Sequence, residues 1–216
     1  MKVFQDLFVT IPDDRITEIL ELIFSNLPLG WTRDLEGEKK LHEDVDKEFY
    51  LFICDKQEER EKARIVFFQK ENNTYYVSNI IPLGPDVNEL TEDQYNKILN
   101  DFYQYCLQPH EASLSLNITM TKDNLTLNGL VSNESASKLL AFSQAANKST
   151  GNSHPSDKAR WYDFIKSIVS QGDNLTPDKL FKWLVEDENW RPDIADKLVI
   201  EYENEVGLLK SLYKSI

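Results

Sequence analysis

The chain has two cysteines, three histidines and seven glycines in 216 residues, and each scarcity removes a class of protein. Two thiols cannot build a disulfide framework. Cys54 lies in a strand-like run and Cys106 in a helix-like one, each among bulky apolar neighbours, so both are expected to be buried and free. Pro109 interrupts the helix that would bring Cys106 beside His110, which argues against a thiol nucleophile there. With so little glycine there is no glycine-rich phosphate loop and no Gly-x-Ser-x-Gly elbow, and His-Glu-x-x-His and Cys-x-x-Cys pairs are missing too. No cofactor is implied.

No apolar run approaches the roughly 20 residues that a membrane-spanning helix needs, and the opening residues meet Asp6 before any signal-like stretch. A soluble, cytoplasmic protein is expected, in which triplets such as Asn117-Ile118-Thr119 carry no weight as glycosylation sites. Positive charge is the last shortage. Against 37 acidic residues stand 24 basic ones, a net charge of −13, and such a field repels a phosphate backbone. Nucleic acid is thereby excluded as a partner, and a basic protein is favoured.

What is present is core material: 41% of residues are apolar and 11% aromatic, enough for this length to fold without a metal or disulfide staple. Residues 3–9 read as a strand. Pro12 then opens a helix whose Ile16, Ile19, Leu20, Ile23 and Leu27 form one buried stripe. Short β-rich runs follow at 31–35, 49–54, 64–68 and 75–81, consistent with an antiparallel meander, with a tight turn at Glu71-Asn72-Asn73. Thr91 and Gln94 have capping-box spacing for a helix over 92–107. Residues 114–120 and 125–130 alternate apolar and polar residues around a polar turn, which predicts a hairpin.

Beyond Ser132 strand signals cease, and four helices are expected at 134–147, 155–170, from Thr176-Pro177, and from Pro192. The expected fold is therefore α+β, an antiparallel sheet with helices on one face, followed by an all-helical C-terminal part. Its division falls into residues 1–131 and 132–216, and the polar run 148–154 is the best candidate for a mobile loop.

Three clusters could carry function. Between positions 184 and 205, eight acids face only Arg191 and Lys197, so Glu186, Asp187, Glu188, Asp193 and Glu201 with Trp190 are expected to form the face that meets a basic partner, where exposed Trp190 and Trp183 would be anchors, although ordinary packing between helices suits Trp190 at least as well. His154, Asp157 and Arg160 stand three apart at a helix start, where they suit an acid–base site of a small hydrolase; the simpler reading is a capped helix with an Asp157–Arg160 pair. His42, Asp44 and Asp46 share one side if extended and would suit a divalent metal, but they sit in a run dense with charge.

The segment His154-Pro155-Ser156-Asp157-Lys158-Ala159-Arg160-Trp161-Tyr162-Asp163-Phe164 resembles a stretch of uncharacterised bacterial proteins with a His-Pro-x-Asp-x-x-Arg-Trp-x-x-Phe pattern before a helical tail. The resemblance covers roughly the last third of the chain. Some of those proteins sit among toxin, immunity or phage-defence genes, which implies partner binding and transfers no catalytic residue. An acidic, non-catalytic interaction module, immunity-like or antitoxin-like, is the function expected.

Overall fold

The computed structural model describes residues 1–12, 15–41, 47–71, 73–85, 88–151 and 154–213. They form two compact units, one of residues 2–123 and one of 124–216 together with Met1.

In the first unit the β-branched and aromatic runs pair into a six-stranded antiparallel sheet. Its strands are β1 (Leu7–Thr10), β2 (Trp31–Arg33), β3 (Phe49–Cys54), β4 (Ala63–Glu71), β5 (Thr74–Pro82) and β6 (Asn117–Met120), in the order β2-β3-β4-β5-β1-β6. The meander read from 31–81 is the β2-to-β5 part. Strand alternation puts Ala63, Ile65 and Phe67 of β4 on one face with Phe52 and Cys54 of β3. Against that face pack Ile19, Leu20 and Ile23 of α1 (Ile16–Ser25) and Ile98 and Leu99 of α3 (Glu92–Asp101). Each such side chain, fully buried, contributes about 1.5–3 kcal/mol. Cys54 and Cys106 are buried in this core as free thiols, and burial pushes Cys106 up to about 12, so it stays protonated.

Three local expectations differ. The charged run after β2 contains a helix, α2 (Leu35–Leu41). Asp34 accepts the Gly37 N–H at 2.9 Å, with Glu36 and Glu38 in the first turn and Lys39 and Lys40 in the last, so the charges complement the helix dipole. A Cβ at Gly37 would lie 2.9 Å from the Leu51 side chain and closer still to Asp34, so a larger residue there would force those side chains to shift. Pro109 does not end the helix that begins at Glu92. A π-helical stretch (Phe102–Leu107) shifts the ladder, Pro109 falls in the first turn of α4 (Gln108–Leu114), and there its missing N–H costs no bond. The predicted hairpin is not formed. Its first half is shortened to β6, and its second half is a helical turn, α5 (Leu127–Leu130). Leu127, Leu130 and Val131 recur at three and four residues, and they pack in the helical core. That packing places 124–131 with the helices, so the units divide at 123/124, whereas the pattern of strand signals suggested 131/132.

The second unit continues with α6 (Asn133–Ala145), α7 (Pro155–Gln171), α8 (Pro177–Lys182), a π-helical turn (Trp183–Asp187) and α9 (Pro192–Tyr213). Leu139, Phe142, Trp161, Phe164, Leu180 and Leu184 fill its core. The fold class is α+β. The turn residue Asn72 lies outside the described residues, as does part of the polar run 148–154.

Candidate partner-binding site

The acidic segment of the helical unit is largely paired from within. Glu186 lies 3.8 Å from Lys182, Asp187 2.7 Å from the Met1 amino group, and Asp193 takes two bonds from Arg191 at 3.0 and 2.9 Å. Glu188 accepts from Ser143 Oγ at 2.7 Å and from Lys148 Nζ at 3.2 Å, and Lys148 also reaches the Glu188 carbonyl. Trp190 is a core residue rather than the expected exposed anchor. It is 2% exposed, stacks on Phe142 at 5.5 Å, and donates its Nε1–H to Ser143 Oγ at 2.8 Å. Trp183 is buried as well, because apolar area this large is worth more in the core than at the rim. Glu201 is half-buried on α9, where its charge, after burial itself, helps to raise the pKa of Glu205.

His154, Asp157 and Arg160 do come together, as a helix start. His154 is exposed and its Nδ1 accepts the Ser156 N–H at 3.2 Å, so the imidazole itself caps the helix. Asp157 holds Arg160 at 3.0 Å, and Trp161 turns inward and donates to Glu205 at 3.1 Å. Each side chain thus has a structural partner. His42, Asp44 and Asp46 lie outside the described residues, and among the described residues no group of three or more His, Cys, Asp or Glu side chains is placed to hold a metal.

The feature that sequence reasoning missed is a cleft in the sheet unit. β1 pairs with β5 only over Thr74 to Tyr76. Before β1 the chain bends toward α3, where Asn96 clamps it, accepting the Gln5 N–H and donating to the Val3 carbonyl, both at 2.8 Å. The divergence from β5 leaves a cavity of about 490 Å³ lined by Phe4, Ile81, Leu90 and Tyr95, with Asn79 and Glu89 among its polar groups. That volume lies within the usual range for small ligands or a docked side chain.

Two observations define what the cleft can hold. Phe4 is 51% exposed and meets Tyr95 edge-on at 5.0 Å, so it offers an aromatic face at the entrance. Burial, and then the Asp6 carboxylate, push the Tyr95 phenol up to about 12, so it remains a neutral hydrogen-bonding group. Asn79 Oδ1 accepts the Ile80 N–H at 2.8 Å, and Pro82 has no N–H to offer, so these residues blunt the strand edge beside the cleft. No protein-family model, curated protein or solved structure matches the chain. The site is therefore read from its own chemistry: apolar walls, neutral amides, a phenol and a carboxylate, which suit binding of an apolar group that carries or neighbours a cation.

The surrounding charge has the same sense. Residues 1–123 hold 24 acids against 13 bases, a net −11, whereas residues 124–216 hold 13 against 11, a net −2. The acidic character of the protein resides in the sheet unit, and the cluster at 184–205 is offset by the lysines and arginines around it. The capping box at Thr91 and Gln94 and the break at Pro82-Leu83-Gly84-Pro85 mark two borders of the cleft in the sequence. The departure of residues 3–5 from β5 left no signal, since alternation continues through them. Among the described residues no helix is long and apolar enough to cross a membrane.

Proposed function

We propose that this protein is a non-catalytic interaction module that engages a basic protein, in the manner of an immunity protein or antitoxin-like neutraliser, and that its sheet unit supplies the surface. The observation that carries the reading is the uneven charge, net −11 on the sheet unit against −2 on the helical one. A field of that sign speeds the approach of a cationic partner and disfavours acidic ones, while an apolar cleft supplies the short-range anchor that charge alone lacks. Phe4 and Tyr95 would take an aromatic or aliphatic side chain of the partner, and Glu89 a neighbouring Lys or Arg. The genomic setting of the proteins that the 154–164 segment resembles, among toxin and immunity genes, is compatible with this role.

The test is affinity capture by the full chain at low and high salt, repeated with Phe4→Ala, Glu89→Lys and, as a control, Asp193→Lys. The reading expects one basic protein that is released by salt, at least tenfold weaker capture by the first two variants, and capture close to wild type by the third, a tenfold loss corresponding to about 1.4 kcal/mol. Capture insensitive to salt, or lost only with Asp193→Lys, would overturn it.

A further inference from the structure

β5 presents an open edge to the cleft. Ser78 is the extra residue of a bulge opposite Val66 and Phe67, and past it β1 no longer follows β5, because Asn96 draws residues 3–5 toward α3. On the other side of β5, Leu83 donates to the Lys62 carbonyl at 2.8 Å, and antiparallel alternation from that bond joins Ile81 to Arg64 and Asn79 to Val66. The same alternation turns the N–H and C=O of Ile80, and the C=O of Pro82, away from β4 to the side on which the cleft lies. There the Ile80 N–H is met by Asn79 Oδ1, a side chain of its own strand, at 2.8 Å. Beside this edge stand the apolar walls of Phe4, Leu90 and Tyr95, and also Glu89, which is exposed and has no cation against it among the described residues.

We infer that an extended segment of a basic protein binds here by adding a strand to β5 at Ile80, with an apolar side chain against Phe4 and Tyr95 and, within two residues of it, a Lys or Arg on Glu89. Two features select that occupant. Backbone groups aligned along an edge are matched by another backbone: one residue of the segment exchanges both bonds with Ile80, its carbonyl replacing Asn79 Oδ1, and the residue two further on donates to the Pro82 carbonyl. An uncompensated carboxylate on a unit of net −11 then favours a cationic segment over an acidic one. The same charge, with the Asn79 cap and the N–H that Pro82 lacks, keeps the edge from pairing with a second copy while it is free. The inference rests on the reading of the sheet unit as the surface for a basic partner and adds how that partner is held.

The probe is a phage-displayed library of random nonapeptides selected on the full chain, with the enriched peptides then synthesised and titrated by fluorescence anisotropy. They are expected to share a large apolar residue within two positions of a Lys or Arg, and to bind Glu89→Lys about tenfold or more weakly. The decisive arm replaces the backbone N–H groups of the best peptide one at a time by N-methyl. An added strand loses about tenfold or more at alternate positions and little at those between, whereas a segment held by side chains alone shows no alternation. Asn79→Ala removes the competing cap, so the peptide is expected to bind it about two- to tenfold more tightly than wild type, a gain that a merely structural Asn79 would not produce. Near-UV circular dichroism checks that both variants fold. No enriched peptide, enrichment without a basic residue, a flat N-methyl scan, or folded Asn79→Ala binding no more tightly would overturn the inference. A basic protein captured through Phe4 and Glu89 together with a flat scan would overturn strand addition alone, and alternating peptides with no basic protein captured would overturn the partner reading alone.

Discussion

The sheet unit carries a net −11 and keeps an ion pair in its interior, whereas the helical unit carries −2 and ties its buried indole and hydroxyl groups to neutral and carboxylate acceptors alike. Arg60 and Asp101 are almost fully buried, 3.4 Å apart, with Lys97 at 2.8 Å on the other carboxylate oxygen and the Arg60 guanidinium 4.8 Å over the Trp31 ring. Elsewhere in that unit Arg33 holds Glu38 at 3.0 Å and Arg64 holds Asp34 at 2.6 Å. In the helical unit Trp190 donates to Ser143, and Tyr202 donates to the Leu175 carbonyl at 2.7 Å. In the sheet unit Arg33, Arg60 and Arg64 stand where a carboxylate is buried or nearly so, while other pairs, such as Arg15 with Glu18, lie on the surface. The integrity of the sheet unit therefore hangs on individual charges in addition to the aromatic packing that both units have.

The largest expected effect breaks the first half of this contrast. Asp101→Ala strands the Arg60 guanidinium in the core, and removing one partner of a buried pair costs about 3–5 kcal/mol. Replacing both, with Arg60→Met and Asp101→Leu, should recover most of that loss, since apolar residues of similar volume do not need the desolvation to be offset. Urea unfolding followed by far-UV circular dichroism measures both variants. A double variant as weak as the single one would show that the pair holds the sheet unit together by geometry rather than by charge balance.

The second effect sharpens the other half. Ser143 is fully buried and links the Trp190 indole to Glu188, so Ser143→Ala leaves a buried N–H without its acceptor and is expected to cost about 1–3 kcal/mol. The loss should appear in tryptophan emission, which is dominated by Trp161, Trp183 and Trp190 of the helical unit. An unchanged unfolding midpoint would mean that Phe142 stacking alone holds Trp190.

Much of the fold could be read before the structure, whereas the contrast in charge could not, and both have physical causes. The strands at 63–71 and 74–82 are legible because buried and open positions alternate along much of each, the strand at 49–54 because it is an apolar run of strand length, and Thr91 and Gln94 form the capping box that their spacing predicts. The stretch 125–130 misleads because Leu125, Leu127 and Leu130 satisfy a short alternation as well as a helical turn, and only packing decides. Trp190 misleads because a tryptophan between acids looks like a rim anchor, yet a single hydrogen bond to Ser143 makes its burial cheap. The acid cluster at 184–205 misleads for a related reason: Lys148 and Lys182, outside the window, and the Met1 amino group supply counter-charges that a local count omits. The cleft beside β5 depends on where Asn96 pulls residues 3–5, a long-range contact that no local pattern encodes.

The smallest expected effect concerns Glu205, the carboxylate of the helical unit that accepts the buried Trp161 indole. Glu205 is half-buried on α9, and burial, followed by the charge of Glu201, raises its pKa although the Trp161 bond works the other way. A carboxyl whose pKa is higher in the folded state binds its proton more tightly there, so the stability it lends is present at low pH and is lost as pH rises through the raised value. At neutral pH the ionised group is a net cost, held below about 1 kcal/mol by its solvent exposure. Glu205→Gln keeps an acceptor for Trp161 and removes the charge, so the variant should be slightly the more stable at about pH 7, and its lead should vanish at about pH 4, where both carboxyl forms are protonated. Urea midpoints of the two proteins across that range measure the difference. A lead that persists unchanged in acid would place the gain in packing rather than in charge.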